Sequence, residues 1–236
     1  MAKIKVIVPI KGLTDEEIES RHKVLASKAR PGTTMKFVVV EEGPQVIESH
    51  FQECQAVMGI LKEVGKMANE DYDAAIIWCA LDPALEAARE ISSFPIIGPG
   101  EASMLLASYV GHKFTVVVPS VDNVYINNLA TVAIENMAKK LGVRENLVAV
   151  RPIQSAVLDL TKNKEQNIQT VIELTKVSLR EDKTQAIALA CLGMTGFAEE
   201  IQKRVGIPII DPGVAALKMA ETLVEMGLSF SRFGLI

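Results

Sequence analysis

The chain has 236 residues, of which 49% are apolar, and a formal net charge of −4 with both signs spread along its length. This length can bury a full core in one large domain or in two smaller lobes, and the mixed charge argues against a surface for nucleic acid or membrane. Apolar runs fall short of the roughly 18 residues that span a bilayer, and residues 1–9 lack the features of a signal peptide, so we predict a cytoplasmic protein.

Short β-branched runs alternate with longer helical patterns in the first half of the chain. Strands are predicted at residues 4–8, 36–40, 74–78 and 95–97. Helices are predicted at residues 14–29, 45–69 and 82–91. The first opens with a capping box of Thr14 and Glu17, and the third with Asp82 as N-cap before Pro83. Such alternation indicates βαβ units and a mainly parallel sheet covered by helices.

The second half of the chain repeats the first. KIKVIVP at 3–9 returns as KFTVVVP at 113–119, and the valine-rich strands at 38–40 and 148–150 share the offset of 110 residues. Residues 75–79 match 187–191 at an offset of 112, and PIIGPG at 95–100 matches PIIDPG at 208–213 at 113. Four echoes in the same order, with offsets that drift by only three residues, indicate an internal duplication.

The predicted fold is therefore α/β, with two similar lobes whose mainly parallel sheets are flanked by helices and related by a pseudo-two-fold internal duplication. Lobe 1 is expected to comprise residues 1–98 plus about 212–236, and lobe 2 residues about 99–211. Helices at 101–110 and 214–226 would cross between the lobes and leave a cleft, the usual place for a small-molecule site.

Three cysteines are present, and no pair of cysteines or histidines has the spacing of a dedicated zinc site. Cys79 and Cys191 occupy matching places in the repeat, each at the carboxyl end of a strand, which is the edge where open parallel sheets bind ligands. Two lobes that face each other would bring them to one substrate from opposite sides.

The residues that follow each cysteine suit thiolate chemistry. A helix beginning just after the cysteine would lower the thiol pKa, and backbone amides in the segments 80–83 and 192–195 could hold an anionic oxygen. Inversion of a carbon centre needs one group to remove a proton and another to deliver a proton to the opposite face. A thiolate and a thiol can do this without a metal or an organic cofactor.

Each of these residues also has a structural interpretation. A cysteine at a strand end is usually inert packing, and only the matched pair raises the chemical interpretation to equal weight. Cys54 has no partner in the repeat and is interpreted as filler. Asp82 and Thr195 are interpreted first as helix caps, whereas Tyr125 is a candidate substrate contact.

The segments around Cys79 and Cys191 resemble those of a known family, the aspartate/glutamate/hydantoin racemase superfamily, and within it the hydantoin and allantoin racemases. The similarity covers nearly the whole chain and centres on CALDP at 79–83 and ACLGM at 190–194, with support from Gly43 and Pro44 after the second strand. The resemblance implies that Cys79 and Cys191 are the two acid/base residues.

The sequence departs from this family in the loops that contact substrate. Amide side chains that often follow strand one are replaced by VPIK at 8–11, and the usual threonine after strand five by Pro119 and Ser120. These changes predict a rather apolar pocket. The predicted substrate-binding residues are Pro9, Ile10, Gly43, Ala80, Ser120, Tyr125, Leu192 and Gly193.

The predicted function is cofactor-independent racemisation or epimerisation of a small carbon acid, such as a 5-substituted hydantoin or a similar ureide. An aspartate/glutamate-type amino-acid racemase and a maleate-type cis–trans isomerase remain alternatives, as does a non-catalytic two-lobe binding protein. The expected partners are a small-molecule substrate and further copies of the chain in a homo-oligomer, with no metal, nucleic acid or membrane.

Overall fold

A computed structural model describes residues 1–120 and 124–231, and the side chains of residues 124–129 lie outside this description. The chain divides into two compact units, one formed by residues 1–99 with the C-terminal segment from Ala216, the other by residues 100–215. No helix in the described ranges has the length and apolar character needed to span a membrane.

The first unit is built on a parallel sheet with the strand order β2-β1-β3-β4. Its elements in chain order are β1 (Lys3–Val8), α1 (Asp15–Lys28), β2 (Thr34–Val39), α2 (His50–Lys66), β3 (Ala74–Ile77), α3 (Leu85–Ile91) and β4 (Ile96–Ile97). The next helix, α4 (Pro99–Val110), belongs to the second unit from Gly100 onwards. The central strands β1 and β3 are almost wholly buried, as expected for a parallel sheet that is covered on both faces.

The second unit has the same design, with four parallel strands in the order β6-β5-β7-β8. Its elements are β5 (Phe114–Ser120), α5 (Val124–Lys140), β6 (Leu147–Gln154), α6 (Lys164–Glu181), β7 (Ala186–Leu189), α7 (Ala198–Val205) and β8 (Ile209–Ile210). The last helix, α8 (Pro212–Met226), begins in this unit and from Ala216 belongs to the first unit. The prediction of two similar lobes with parallel sheets and flanking helices is confirmed, and the two strand orders correspond one to one.

The first helix begins where the capping box predicted. The Thr14 hydroxyl accepts a hydrogen bond from the Glu17 amide at 3.2 Å, and the Glu17 carboxylate accepts one from the Thr14 amide at 2.9 Å. These two bonds satisfy amides that the first turn of a helix leaves without intrahelical partners.

The second helix begins at His50 rather than near residue 45. The carbonyls of Pro44 and Gln45 accept hydrogen bonds from the amides of Lys11 and Gly12, both at 2.9 Å, so this segment is tied to the loop after β1. Ser49 then caps the helix by accepting from the Gln52 amide. Tertiary hydrogen bonds have here overridden the helical pattern of the segment.

Candidate active site

Cys79 lies at the carboxyl edge of the first sheet. Beyond the end of β3, the Trp78 amide donates to the Ile7 carbonyl of β1 at 2.7 Å, so the extended pairing continues up to the cysteine. Trp78 is buried and meets the Phe37 ring edge to face, with centroids 5.1 Å apart. Cys79 itself is partly exposed. Cys79 therefore lies at the carboxyl end of the strand, the edge at which open parallel sheets bind ligands.

Cys191 occupies the corresponding place in the second sheet. The Ala190 amide donates to the Val117 carbonyl of β5 at 2.8 Å, and Cys191 follows one residue beyond, as Cys79 follows Trp78. Its exposure is only 8%, and it belongs to the apolar core that includes Ile187 and Met194. The two thiols thus share a position in the repeat but differ in access to solvent.

A four-residue turn follows each cysteine. The Cys79 carbonyl accepts from the Asp82 amide at 3.0 Å, and the Cys191 carbonyl accepts from the Met194 amide at 2.9 Å. In such a turn the amides of the two central residues take no part in the hydrogen bond that closes the turn. The central residues are Ala80 and Leu81 in the first turn and Leu192 and Gly193 in the second, and their amides have no hydrogen-bond partner within the described ranges.

These paired amides can act on a ligand oxygen. Successive backbone N–H groups beside a turn form a small concave donor site for anions or for polarised carbonyl oxygens. Ala80, Leu192 and Gly193, three of the predicted substrate-binding residues, supply such amides. Each cysteine is therefore followed at once by donors suited to an oxygen that gains charge during proton removal from carbon.

The helices after the cysteines begin later than predicted. α3 starts at Leu85 with Ala84 as its N-cap, and α7 starts at Ala198 with Phe197 as its N-cap. The capping roles predicted for Asp82 and Thr195 are wrong, because both residues lie in the loops that precede these caps. Since the helix dipole acts mainly within the first turn, the turn amides rather than an α-helix are the donors that follow each cysteine most closely in sequence.

Three predicted residues lie at the same edge of the first sheet as Cys79. Pro9 and Ile10 follow β1, the strand next to β3, and both are buried. Gly43 follows β2 and packs against Pro9, because a Cβ atom at position 43 would lie 2.9 Å from the Pro9 carbonyl oxygen. Glycine is required here by close backbone contact, and the buried residues Pro9 and Ile10 make this edge of the sheet apolar.

In the second sheet, too, predicted substrate-binding residues lie at the edge where the strands end. Ser120 ends β5, the neighbour of β7, is 4% exposed, and bridges to Ser155 after β6. Gly193 lies against Leu160, whose Cδ1 atom would be 2.8 Å from a Cβ at position 193. Tyr125 falls on α5 at a position whose side chain lies outside the described residues.

Comparison with known proteins identifies the family. The sequence profile of the Asp/Glu/Hydantoin racemase family matches residues 14–220. The chain belongs to this family. The predicted enzyme class, an isomerase of the racemase type, is thereby confirmed, and the alternative of a non-catalytic binding protein falls away.

Family members with known names are similar over nearly the whole chain. A hydantoin racemase from Pseudomonas sp. (strain NS671) is 35% identical over 231 residues, which cover 98% of this chain and 89% of that protein. The structure of an allantoin racemase from Klebsiella pneumoniae has a TM-score of 0.89 at 31% identity, covering 99% of this chain and 92% of that one. The maleate isomerase Iso from Pseudomonas putida S16, at 17% identity and a TM-score of 0.68, shares the fold.

One feature of this racemase-family chain was not predicted: in each unit a buried carboxylate lies between the loop after the cysteine and the end of the last strand of the sheet. Asp211 precedes α8 and accepts from the Gly196 amide at 2.6 Å. In the first unit the matching position is Gly98, and the Asp82 carboxylate lies beside it, 2.5 Å from where a Cβ at position 98 would be. The sequence signal was the single difference between PIIGPG and PIIDPG, the strongest pair of echoes in the repeat.

Proposed function

We propose that this protein racemises or epimerises a small carbon acid without a cofactor, using Cys79 and Cys191 as its two acid/base groups. The observation that carries the proposal is the pair of matching turns, each of which places two central amides directly after a cysteine at the end of its strand. Membership of the racemase family supports the same reaction class.

The mechanism assigns one step to each thiol. One cysteine, as thiolate, removes the proton from the substrate carbon, and the other, as thiol, delivers a proton to the opposite face. The roles exchange when the opposite enantiomer is bound. The negative charge that moves to a carbonyl oxygen during proton removal is stabilised by turn amides, and the loss of one such donor typically slows a reaction by about 10²–10³-fold.

We propose a 5-substituted hydantoin or a related ureide as the substrate. Names of the similar proteins support this class, since they include a hydantoin racemase and an allantoin racemase. A ureide ring offers carbonyl oxygens to backbone amides and carries no carboxylate that would demand a cationic side chain. Pro9 and Ile10, buried at the same edge of the sheet as Cys79, make that edge apolar, in keeping with recognition of the ring by backbone groups.

The first experiment follows single enantiomers in deuterated water. L- and D-5-benzylhydantoin, allantoin, aspartate, glutamate and maleate are incubated at neutral pH under reducing conditions, with enzyme-free controls for spontaneous exchange. Loss of optical rotation and entry of deuterium are measured together, and activity is repeated after dialysis against a chelator. Inversion of a ureide at an unchanged rate after dialysis is expected. Turnover of only the amino acids or of maleate would contradict the proposed substrate class.

The second experiment separates the two cysteines. Cys79→Ala and Cys191→Ala should each lower the inversion rate by about 10²–10⁴-fold, the usual worth of a general acid or base. Each variant retains one thiol, which can still exchange the proton of one enantiomer without inverting it. We therefore expect retained exchange with opposite enantiomers in the two variants. Cys54→Ala, at an exposed site on α2, serves as the control. Normal inversion by either active-site variant would end the two-base mechanism.

A further inference from the structure

Asp211 links three backbone amides in the second unit. One carboxylate oxygen accepts from the amides of Gly213 and Val214, at 3.0 and 3.1 Å, and so caps the start of α8. The other oxygen accepts from the Gly196 amide at 2.6 Å. Asp211 is 9% exposed, so these bonds are shielded from water. The side chain therefore fixes the loop that follows Cys191 to the end of the adjacent strand β8.

The first unit has a carboxylate at the same location, but there it belongs to the loop after the cysteine and not to the end of the strand. Gly98, the counterpart of Asp211, has no side chain, and a Cβ atom there would lie 2.5 Å from both Cγ and Oδ2 of Asp82. Asp82 is 8% exposed, and its amide closes the turn on the Cys79 carbonyl at 3.0 Å. The carboxylate comes from the cysteine loop and reaches the strand end, the reverse of the arrangement in the second unit.

Backbone geometry supports this equivalence. Ala84 and Gly196 hold the same place in the repeat, and both are left-handed, with φ of 59° and 90°. Asp82 is also left-handed, with φ of 52°. Left-handed conformations are unfavourable for residues with a side chain and persist only where surrounding contacts fix them. The Asp82 carboxylate is such a contact.

We propose that Asp82 and Asp211 are positioning residues, each of which holds the loop of its own cysteine in the geometry needed for proton transfer. The inference rests on the proposed two-base reaction and adds a consequence of handedness. With Asp82 removed, Cys191 still takes the proton from one enantiomer, but delivery by Cys79 is slow. The intermediate then returns to the starting enantiomer and carries solvent deuterium with it.

The test measures, for each enantiomer of 5-benzylhydantoin, the ratio of exchange with retention to inversion. Asp82→Ala should raise this ratio for one enantiomer only, by about tenfold, the size of effect that loss of one buried charged contact typically has. Asp211→Ala should raise it for the other enantiomer. Glu90→Gln, at an exposed position on α3, is the control and should leave both ratios unchanged. A ratio that rises equally for both enantiomers in each variant would overturn the positioning role.

A double variant that moves the carboxylate from position 82 to position 98 tests the proposal even if the single variants fold poorly. Asp82→Ala combined with Gly98→Asp gives the first unit the arrangement of the second, with the new carboxylate facing the amide of Ala84. Removal of the Asp82 carboxylate frees the space, and the remaining close atom, Leu85 Cδ2 at 2.7 Å, ends a flexible side chain. We expect the double variant to restore the wild-type ratio and Gly98→Asp alone to lack activity. A double variant that folds but keeps the ratio of Asp82→Ala would contradict the proposal.

Alkylation gives a readout that does not depend on substrate. The rate of iodoacetamide modification is followed at each cysteine by mass spectrometry. It should rise or fall by about tenfold at Cys79 alone in Asp82→Ala, and at Cys191 alone in Asp211→Ala. Equal rates in wild type and variants would overturn the positioning role even if no ureide were inverted. Absence of inversion by the wild-type protein would instead overturn the proposed function.

Discussion

At the scale of single residues, the most demanding group outside the candidate site is a lysine buried inside the first unit. Lys5 on β1 is fully buried, and its ammonium lies 2.9 Å from the Glu63 carboxylate and 2.7 Å from that of Glu70. Glu63 also binds Lys66 at 2.6 Å. Such a pair is tolerated in an interior only when each charge is matched by partners with good geometry.

The Glu63 carboxyl makes the free energy of unfolding depend on pH. Burial alone would raise the pKa of its carboxyl, but hydrogen bonds from Lys66 and Lys5 outweigh burial and hold the pKa below its ordinary value. A carboxyl whose pKa is lowered on folding stabilises the protein above the unfolded pKa of about 4.3, and this contribution is lost as pH falls through the folded pKa.

We therefore expect Glu63→Gln to reduce stability at pH 7 and to flatten its decline on acidification. Urea unfolding between pH 7 and pH 3 measures both effects. Glu90→Gln, on the surface, should follow the wild-type curve. An unchanged slope below pH 4.3 in Glu63→Gln would show that other carboxyls dominate the acid response, among them Glu221, whose pKa is also lowered.

At the scale of elements, the loop between β3 and α3 holds strain that its counterpart in the second unit avoids. Ala84 adopts φ 59° and ψ 11° as the N-cap of α3, where the second unit has Gly196. An alanine in this conformation typically costs about 1–2 kcal/mol, which exceeds the extra backbone entropy that glycine has in the unfolded chain.

Ala84→Gly should therefore stabilise the protein, by about 0.5–1 kcal/mol after the entropy of glycine is subtracted. Ala87→Gly, inside α3, is the matched control and should destabilise by a similar amount because glycine disfavours a helix interior. Free energies of unfolding in urea give both values. Destabilisation by Ala84→Gly would mean that the Ala84 methyl group makes packing contacts worth more than the strain.

Elements were predictable from sequence where local signals agreed with tertiary contacts. The capping box at Thr14 and the β-branched strands 4–8 and 74–78 were located to within about one residue. The prediction failed at Asp82, where aspartate before proline is typical of a helix start. Its carboxylate instead fills the space beside Gly98, and such a contact between distant residues leaves no local signal. The turn amides lie within the segments 80–83 and 192–195 that the sequence indicated, but they were expected from a helix starting there, and those helices start only at Leu85 and Ala198.

At the scale of the whole molecule, the first unit is assembled from both ends of the chain. The segment from Ala216 onwards belongs with residues 1–99, and the Glu221 carboxylate accepts from the Arg30 amide at 2.6 Å across 191 positions of sequence. Contacts of this kind require a long loop to close before they contribute, so the first unit cannot be completed before the segment from Ala216 joins it.

This assembly predicts unequal effects for two leucines near the C-terminus. Leu217 is fully buried, and Leu217→Ala should lower the free energy of unfolding by about 2–5 kcal/mol, as for other buried leucines. Leu228, 47% exposed, is the control and should change it by less than about 0.5 kcal/mol. Urea denaturation measures both. A small effect of Leu217→Ala would show that α8 adds little to the core of the first unit.

The unequal exposure of the three thiols has a practical consequence for handling the enzyme. Reaction of a cysteine with oxidants and electrophiles depends on its thiolate character and on its exposure, and here Cys54 is exposed, Cys79 partly exposed and Cys191 buried. Part of any thiol reagent is therefore consumed at Cys54, outside the proposed mechanism. Under the proposed mechanism, a titration of total thiols would overstate how much activity has been lost, whereas damage at Cys79 alone would stop inversion in both directions.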